Sequence, residues 1–197
     1  QTSLEEIKGE NNHLYSYTFP KEWSKELGWL LGWTVGDGFI TPEPDNRLGL
    51  VFSKEDESVM NLLKPYLSAL YGNETKVSVR EATKQLRYHS KYLCTFLREL
   101  GVKSVKAEEK QVPSTLFTAP KEAVVGFLQA LFTADGTMQV GEKGNYVRLT
   151  SKSEQLLKEV QLLLLNFGML STIYARHRPA QNKFTYTNAS GEEKVYK

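Results

Sequence analysis

Two segments of this chain are near-copies, and together they constrain the fold more than anything else in it. Leu27 to Gly38 reads LGWLLGWTVGDG, and Val125 to Gly136 reads VGFLQALFTADG. Both are apolar runs that close on Asp-Gly, at Asp37-Gly38 and Asp135-Gly136, 98 positions apart (135 minus 37). Small residues recur at every fourth position: Gly28, Gly32 and Gly36 in one, Gly126, Ala130 and Ala134 in the other. On a helix, positions i, i+4 and i+8 fall close to one stripe. Glycine inside a helix costs about 1 kcal/mol relative to alanine, so three in one short helix imply that another backbone must come close. The remaining positions are bulky and apolar, so each helix also faces a core of its own. Packed side by side, the two helices bring Asp37 and Asp135 together at their C-terminal ends.

The duplication extends past the motifs. Ser53-Lys54 maps to Ser151-Lys152, each after a strand-like run, LGLVF in one half and YVRLT in the other. A helical apolar pattern follows each pair: Val59, Leu62, Leu63, Tyr66, Leu67 and Leu70, then Leu156, Leu157, Val160, Leu163 and Leu164. Gly72 and Gly168 are suitable C-terminal stops for these helices. Strand-like segments come next, at Lys76–Arg80 and Leu86–His89, with Thr172–Arg178 and Phe184–Thr187 as their counterparts. The first half adds a helix, Tyr92–Leu100, ending at Gly101. Each unit therefore reads helix, two strands, helix, two strands. The expected class is α+β: two pseudo-symmetric repeats, each an antiparallel sheet with helices on one face. The boundaries are a polar lead-in at 1–22, a first repeat with its linker at 23–119, and a second repeat at 120–197. The first repeat spans 76 positions from Asp37 to Pro113, whereas 62 follow Asp135, so the second is expected to be incomplete.

Composition narrows the chemistry. The 197 residues suffice for one large domain or two fused small ones. Net charge is +2, so a nucleic-acid partner requires positive charge gathered on one face. A single cysteine, Cys94, excludes an intrachain disulfide and a cysteine-based zinc cluster, and His13, His89 and His177 lack metal-ligand spacing. The apolar run Leu27–Val35 is far short of the roughly 20 residues that span a bilayer, and no signal-peptide pattern opens the chain. No membrane partner is expected; a cytoplasmic, nucleoid-associated setting is the default.

A helix C-terminus carries partial negative charge. Two carboxylates placed there repel unless a cation lies between them, which argues for a divalent metal; carboxylates, carbonyls and water suit Mg²⁺. A single Asp-Gly is an ordinary turn after a helix. Two in register on matched small-residue stripes favour the metal. The candidate metal set is Asp37 and Asp135, with Gly36 and Ala134 beside them.

The two segments resemble the LAGLIDADG, or dodecapeptide, motif of homing endonucleases, and the likeness runs from about Pro20 onward in motif duplication, helix order and linker. FPKEWSKELGWLLGWTVGDG also looks like the start of the endonuclease domain carried inside inteins. The first acidic position of the motif is replaced by Val35 and Thr133; the second, taken as the metal ligand in the family, is present twice. In intein-type members a lysine just before an X-Pro segment reaches the active site, and Lys110 in KQVPSTLF matches that pattern. Such a lysine can stabilise developing phosphate charge or orient water; otherwise it is a solvated linker charge beside Lys103 and Lys106. Its second-half counterpart would fall at position 208, beyond the 197 residues.

Strand alternation selects the outward side chains. With Val77, Val79, Leu86 and Tyr88 inward, Lys76, Ser78, Arg80, Arg87 and His89 face out. With Val147, Leu149, Ile173 and Ala175 inward, Tyr146, Arg148, Thr150, Thr172, Tyr174 and Arg176 face out. This set is basic and polar, suited to phosphates and base edges. An ordinary solvated face is the alternative for any one residue; repetition in both halves favours nucleic acid. Lys76, Ser78, Arg80, Arg87, His89, Arg148, Tyr174 and Arg176 are the candidate DNA contacts. Cys94 and the tryptophans Trp23, Trp29 and Trp33 read as packing residues.

The resemblance implies a monomeric, pseudo-symmetric saddle over a long, asymmetric double-stranded DNA site, cutting both strands with Mg²⁺ at Asp37 and Asp135 and with help from Lys110. Gln1 and the Val195-Tyr196-Lys197 end exclude a complete splicing intein, so a flanking splicing domain is an expected partner in the native precursor. The rivals are an intron-encoded or free-standing enzyme, and a non-cleaving module of the same fold: a degenerate nuclease, maturase or regulator. Retention of both aspartates favours cutting.

Overall fold

The computed structural model describes residues 7–8, 14–15, 19–72, 74, 76–80, 82–141, 144–174, 184–187 and 193–196. Within the lead-in, β1 (Ile7–Lys8) pairs antiparallel with β2 (Leu14–Tyr15). The first unit then runs α1 (Lys25–Val35), β3 (Gly38–Ile40), β4 (Arg47–Phe52), α2 (Glu57–Tyr71), β5 (Val77–Arg80), β6 (Thr83–His89) and α3 (Lys91–Glu99). Two short 3₁₀ turns, Ala107–Glu109 and Ser114–Thr118, occupy the linker. The second unit runs α4 (Lys121–Asp135), β7 (Gly136–Gln139), β8 (Tyr146–Leu149) and α5 (Glu154–Leu165), followed by β9 (Phe184–Thr187) and β10 (Glu193–Tyr196). Among the described residues no helix is long and apolar enough to cross a membrane.

Local chemistry sets the helix ends. Ser24, Ser90 and Ser153 each accept a hydrogen bond from the backbone N–H three residues on, at Leu27, Leu93 and Leu156. Gly72 closes α2 at φ 74°, a left-handed conformation that glycine adopts without a Cβ clash.

The first sheet is antiparallel, ordered β3-β4-β6-β5. Its inner face carries Ile40, Leu48, Leu50, Phe52, Leu86 and Tyr88, all buried. Fully burying such a side chain stabilises by about 1.5–3 kcal/mol, which makes this sheet and its helices the main core. Trp33 lies inside it, stacked on Phe52 at 5.0 Å between ring centroids and donating from Nε1 to the Val51 carbonyl. Cys94 is fully buried, while Trp23 and Trp29 are partly buried against the core. Val79 departs from expectation: it has the inward parity of Val77, yet it is 68% exposed, on β5 at the sheet edge. Leu62 is likewise 52% exposed on α2.

The second unit differs in how far its sheet is built. Among the described residues β7 and β8 form a two-stranded ribbon, and β9 and β10 pair separately. Val147 and Met138 face each other across the ribbon and are 61% and 72% exposed, so this described ribbon lacks the burial that stabilises the first sheet, whereas α4 and α5 bury Phe127, Leu131, Leu156, Val160 and Leu163. The strand expected at Thr172–Arg178 is not found over residues 172–174, which are irregular; the rest of it lies outside the described residues.

The centre of the molecule is the pairing of α1 with α4. A Cβ on Gly28 would lie 2.1 Å from the Ala123 carbonyl oxygen, and one on Gly126 would lie 2.3 Å from the Lys25 carbonyl oxygen. Both pairs are related by the same 98-residue offset, so the contact is reciprocal, as a two-fold axis between the helices requires. Gly32 packs on the Phe127 carbonyl and Ala130, and Gly36 on Ala134. The stripe read from the sequence is the helix interface.

Candidate active site

The motif helices end differently. α1 stops at Val35, and Asp37 lies beyond the Gly36 cap; α4 continues through Asp135 itself. Both aspartates are then pinned by the next strand but one. Val51 N–H donates to the Asp37 carbonyl at 2.9 Å, and Thr150 N–H donates to the Asp135 carbonyl at 3.4 Å. The equivalence at these strands is 99 residues rather than 98, one position off the alignment of Ser53 with Ser151. Because the offset is 99 there, Leu149 matches Leu50 and Val147 matches Leu48, but only Leu149 is partly buried: Val147, expected inward, is 61% exposed on the two-stranded ribbon.

The two carboxyl groups share one electrostatic environment. Burial, then the charge of Asp135, then that of Asp56, raise Asp37 from 3.8 to about 6, against the lowering effect of Lys110. Burial also raises Asp135, again opposed by Lys110. Lys110 is lowered by burial, with Asp135 and Asp37 acting the other way. The shifts are consistent with the geometry: Gly36, beside Asp37, packs on Ala134, beside Asp135, and Lys110 donates to the carbonyls on either side of Asp37.

Lys110 reaches this site from the linker. Its Nζ donates to the Gly36 carbonyl at 2.7 Å and to the Gly38 carbonyl at 3.2 Å. Gly36 caps α1, so the ammonium meets the negative end of the helix dipole. Lys110 is therefore no solvated linker charge. Gly36 offers its carbonyl to Lys110, while Ala134 contributes its methyl to the helix interface. Among the described residues no group of three or more His, Cys, Asp or Glu side chains converges; the groups that could hold an ion here are Asp37 and Asp135, with backbone oxygen and water. That all-oxygen set fits a hard cation such as Mg²⁺ and does not fit a soft one.

The outer face of the first sheet gathers the basic residues. Register places Arg47, Gly49 and Val51 of β4 opposite His89, Arg87 and Gln85 of β6, all on the side away from the helices. Arg80 and Ser78 of β5 continue this face opposite Thr83 and Gln85. Lys76 is exposed just before β5. Arg87 donates from Nε and Nη2 to Gln85 Oε1, at 3.1 and 2.7 Å. Sequence reasoning missed Arg47, Gln85 and Phe39 here, although inward Leu48 and Leu50 already imply an outward Arg47. Phe39 lies over Gly49, where a Cβ would be 2.3 Å from its ring. In the second unit Arg148 and Tyr146 are exposed on β8, opposite Thr137 and Gln139. Tyr174 is exposed on an irregular segment, and Arg176 lies outside the described residues.

Residues 122–197 match the family model of the LAGLIDADG-like domain. The homing endonuclease I-DmoI, in a crystal structure in complex with DNA and Mn, superposes with a TM-score of 0.58 at 17% identity, over 77% of this chain and 82% of that one. The chain thus has the fold of the LAGLIDADG homing endonucleases, and its residues 122–197 are similar to the LAGLIDADG-like domain.

Among relatives, the replicative DNA helicase DnaB of Rhodothermus marinus is 28% identical over 83% of this chain, which covers 19% of the helicase. The tRNA-splicing ligase RtcB of Pyrococcus abyssi is 34% identical over 74% of this chain, which covers 18% of the ligase. The chain spans under a fifth of the length of these relatives.

Proposed function

We propose that this chain is a site-specific DNA endonuclease domain, divalent-metal dependent and intein-encoded, making a double-strand break in a long asymmetric target. The observation that carries the reading is the junction of the two motif helix ends, where Gly36 packs on Ala134 and Lys110 donates to the carbonyls of Gly36 and Gly38 on either side of Asp37. Asp37 and Asp135 would hold Mg²⁺, with Gly36 and Ala134 beside them. When bound, the metal supplies charge stabilisation for the phosphate and activates water. The protein's own part is positional: the reciprocal α1–α4 contact fixes the carboxylate spacing, and Lys110 places a cation beside it.

The outer face supports double-stranded DNA as partner. Arg80 and Arg87, with Lys76 at the edge, present cations on one ribbon surface despite a net charge of only +2, while Arg47 on the same face is paired with Asp45 at 2.9 Å. A twisted antiparallel ribbon of this kind can lie along a major groove. The structural neighbour bound to DNA and Mn supports the same partner and a divalent ion.

The intein setting is supported by the relatives. A helicase and a ligase share no chemistry, yet each matches this chain over less than a fifth of its length. A segment common to unrelated activities behaves as an insertion. In the native precursor a flanking splicing domain would accompany it.

The test is incubation with Mg²⁺ and a duplex spanning the uninterrupted host-gene junction, with wild type, Asp37→Asn and Asp135→Asn side by side. Double-strand cutting by wild type alone is expected. Robust cutting by both variants would sink the metal assignment, and tight binding without cutting would favour the non-cleaving module.

A further inference from the structure

Lys110 is aimed by groups that belong to the opposite unit. The linker segment that carries it is held at two points by α5 and its N-cap. Ser153 Oγ donates to the Lys110 carbonyl at 2.6 Å, and Glu159 Oε2 accepts from the Val112 N–H at 2.7 Å. The two bonds bracket Lys110 and Gln111, fixing the backbone from which the lysine side chain leaves. Ser153 is fully buried and holds its own position by capping α5, accepting from Leu156 N–H at 3.1 Å. Glu159 is held in turn by Gln155, whose Nε2 donates to Oε1 at 2.8 Å. Val112 and Pro113 are buried, so the segment cannot slide outward without exposing them.

We infer that Ser153 and Glu159 are positioning residues for Lys110: the second unit's α5 aims a linker lysine at the end of the first unit's motif helix. This rests on the proposed role of Lys110 in cleavage. The physical case is independent of charge on Glu159. What the Val112 N–H needs is an acceptor, so glutamine should serve and alanine should not. Ser153 cannot be replaced so cleanly, because it also caps α5. Glu159 therefore carries the test, with Ser153→Ala in support.

The experiment has two readouts on wild type, Glu159→Ala, Glu159→Gln and Ser153→Ala. The first is the ¹H–¹⁵N resonance of the Lys110 ammonium, assigned by its loss in Lys110→Arg. The second is the single-turnover rate on each DNA strand, with the dissociation constant measured in parallel. In Glu159→Ala the resonance should shift or broaden, and one strand should be cut about tenfold or more slowly at nearly unchanged affinity, since small misplacements of a working group cost rate rather than binding. Glu159→Gln should restore both. An unmoved Lys110 resonance in Glu159→Ala and Ser153→Ala, with wild-type rates, overturns the inference. So does an equal slowing of both strands that tracks lost affinity and is not rescued by glutamine, the pattern of a merely structural residue. If wild type cuts nothing while the resonance still moves in Glu159→Ala and returns in Glu159→Gln, the cleavage reading fails and the positioning stands.

Discussion

Lys110 donates from Nζ to the carbonyl of Gly36 at 2.7 Å, closing the end of the first motif helix with a cation drawn from the linker. That bond joins three parts of the chain: the helix α1, the segment between the units, and the carboxylate pair. Two adjacent helix C-termini, each followed or closed by an aspartate, are electrostatically unfavourable on their own. Lys110 offsets part of that repulsion within the protein.

The balance is pH-dependent, with a definite sign. Burial and the charge of Asp135 raise Asp37 from 3.8 to about 6. A carboxyl that holds its proton more tightly when folded contributes stability fully below its unfolded value of 3.8 and loses it as pH rises through about 6. Thermal melts in EDTA should therefore show the protein losing stability across that window. Asp37→Asn should remove about 1–2 kcal/mol of that pH-dependent loss, once partial exposure is allowed for. A pH-independent difference between the two proteins would count against the arrangement.

Metal dependence should appear in stability as well as in cutting. Mg²⁺ is expected to raise the melting temperature of wild type and to leave an Asp37→Asn/Asp135→Asn double variant unmoved. Each single variant should cut about 10²–10³-fold more slowly while holding DNA within a few-fold of wild type, because an electrostatic contribution is lost at the reacting phosphate and not at the sheet. Calorimetric melts and single-turnover assays read the two effects.

Gly28→Ala and Gly126→Ala should destabilise, although alanine is ordinarily the better helix former by about 1 kcal/mol. The added methyl would meet backbone oxygen, at 2.1 Å for Gly28 and 2.3 Å for Gly126, and neither helix can yield without moving the other. A loss of about 2 kcal/mol or more in denaturant unfolding is expected, in the range of overpacked interfaces. Alanine at exposed Gly141, where a Cβ meets nothing within 4 Å, is the control.

Arg87→Ala and Arg80→Ala should weaken DNA binding and reduce its salt dependence, each by about one unit of slope if it contacts a phosphate. Arg87 reads differently if its pairing with Gln85 directs it to a base: the loss would then depend on target sequence, and the slope would hardly change. Binding isotherms at several salt concentrations separate the two, and no effect of either variant would remove this face from the interface.

Much of this molecule is written in local pattern. The small-residue stripes, the apolar periods of α2 and α5 and the glycine stops are properties of neighbouring residues, so the main helices and the α1–α4 contact follow from sequence. So does the outward parity of Arg80, Arg87 and His89, because strand alternation needs only one buried reference such as Leu86. Tertiary structure decided what depends on residues far apart in the chain. The offset shifts from 98 to 99 at β8, since hydrogen bonds from Val51 and Thr150 to the motif aspartates, not sequence alignment, set that register. Val79 stays exposed on β5 at the sheet edge, a place in the sheet that alternation cannot reveal. Lys110 stood out in sequence only through the pattern around it. Its aim comes from a serine 43 positions away and a glutamate 47 positions from Val112, and no local rule connects them. Sequence determined the two carboxylates; folding determined the cation that meets them.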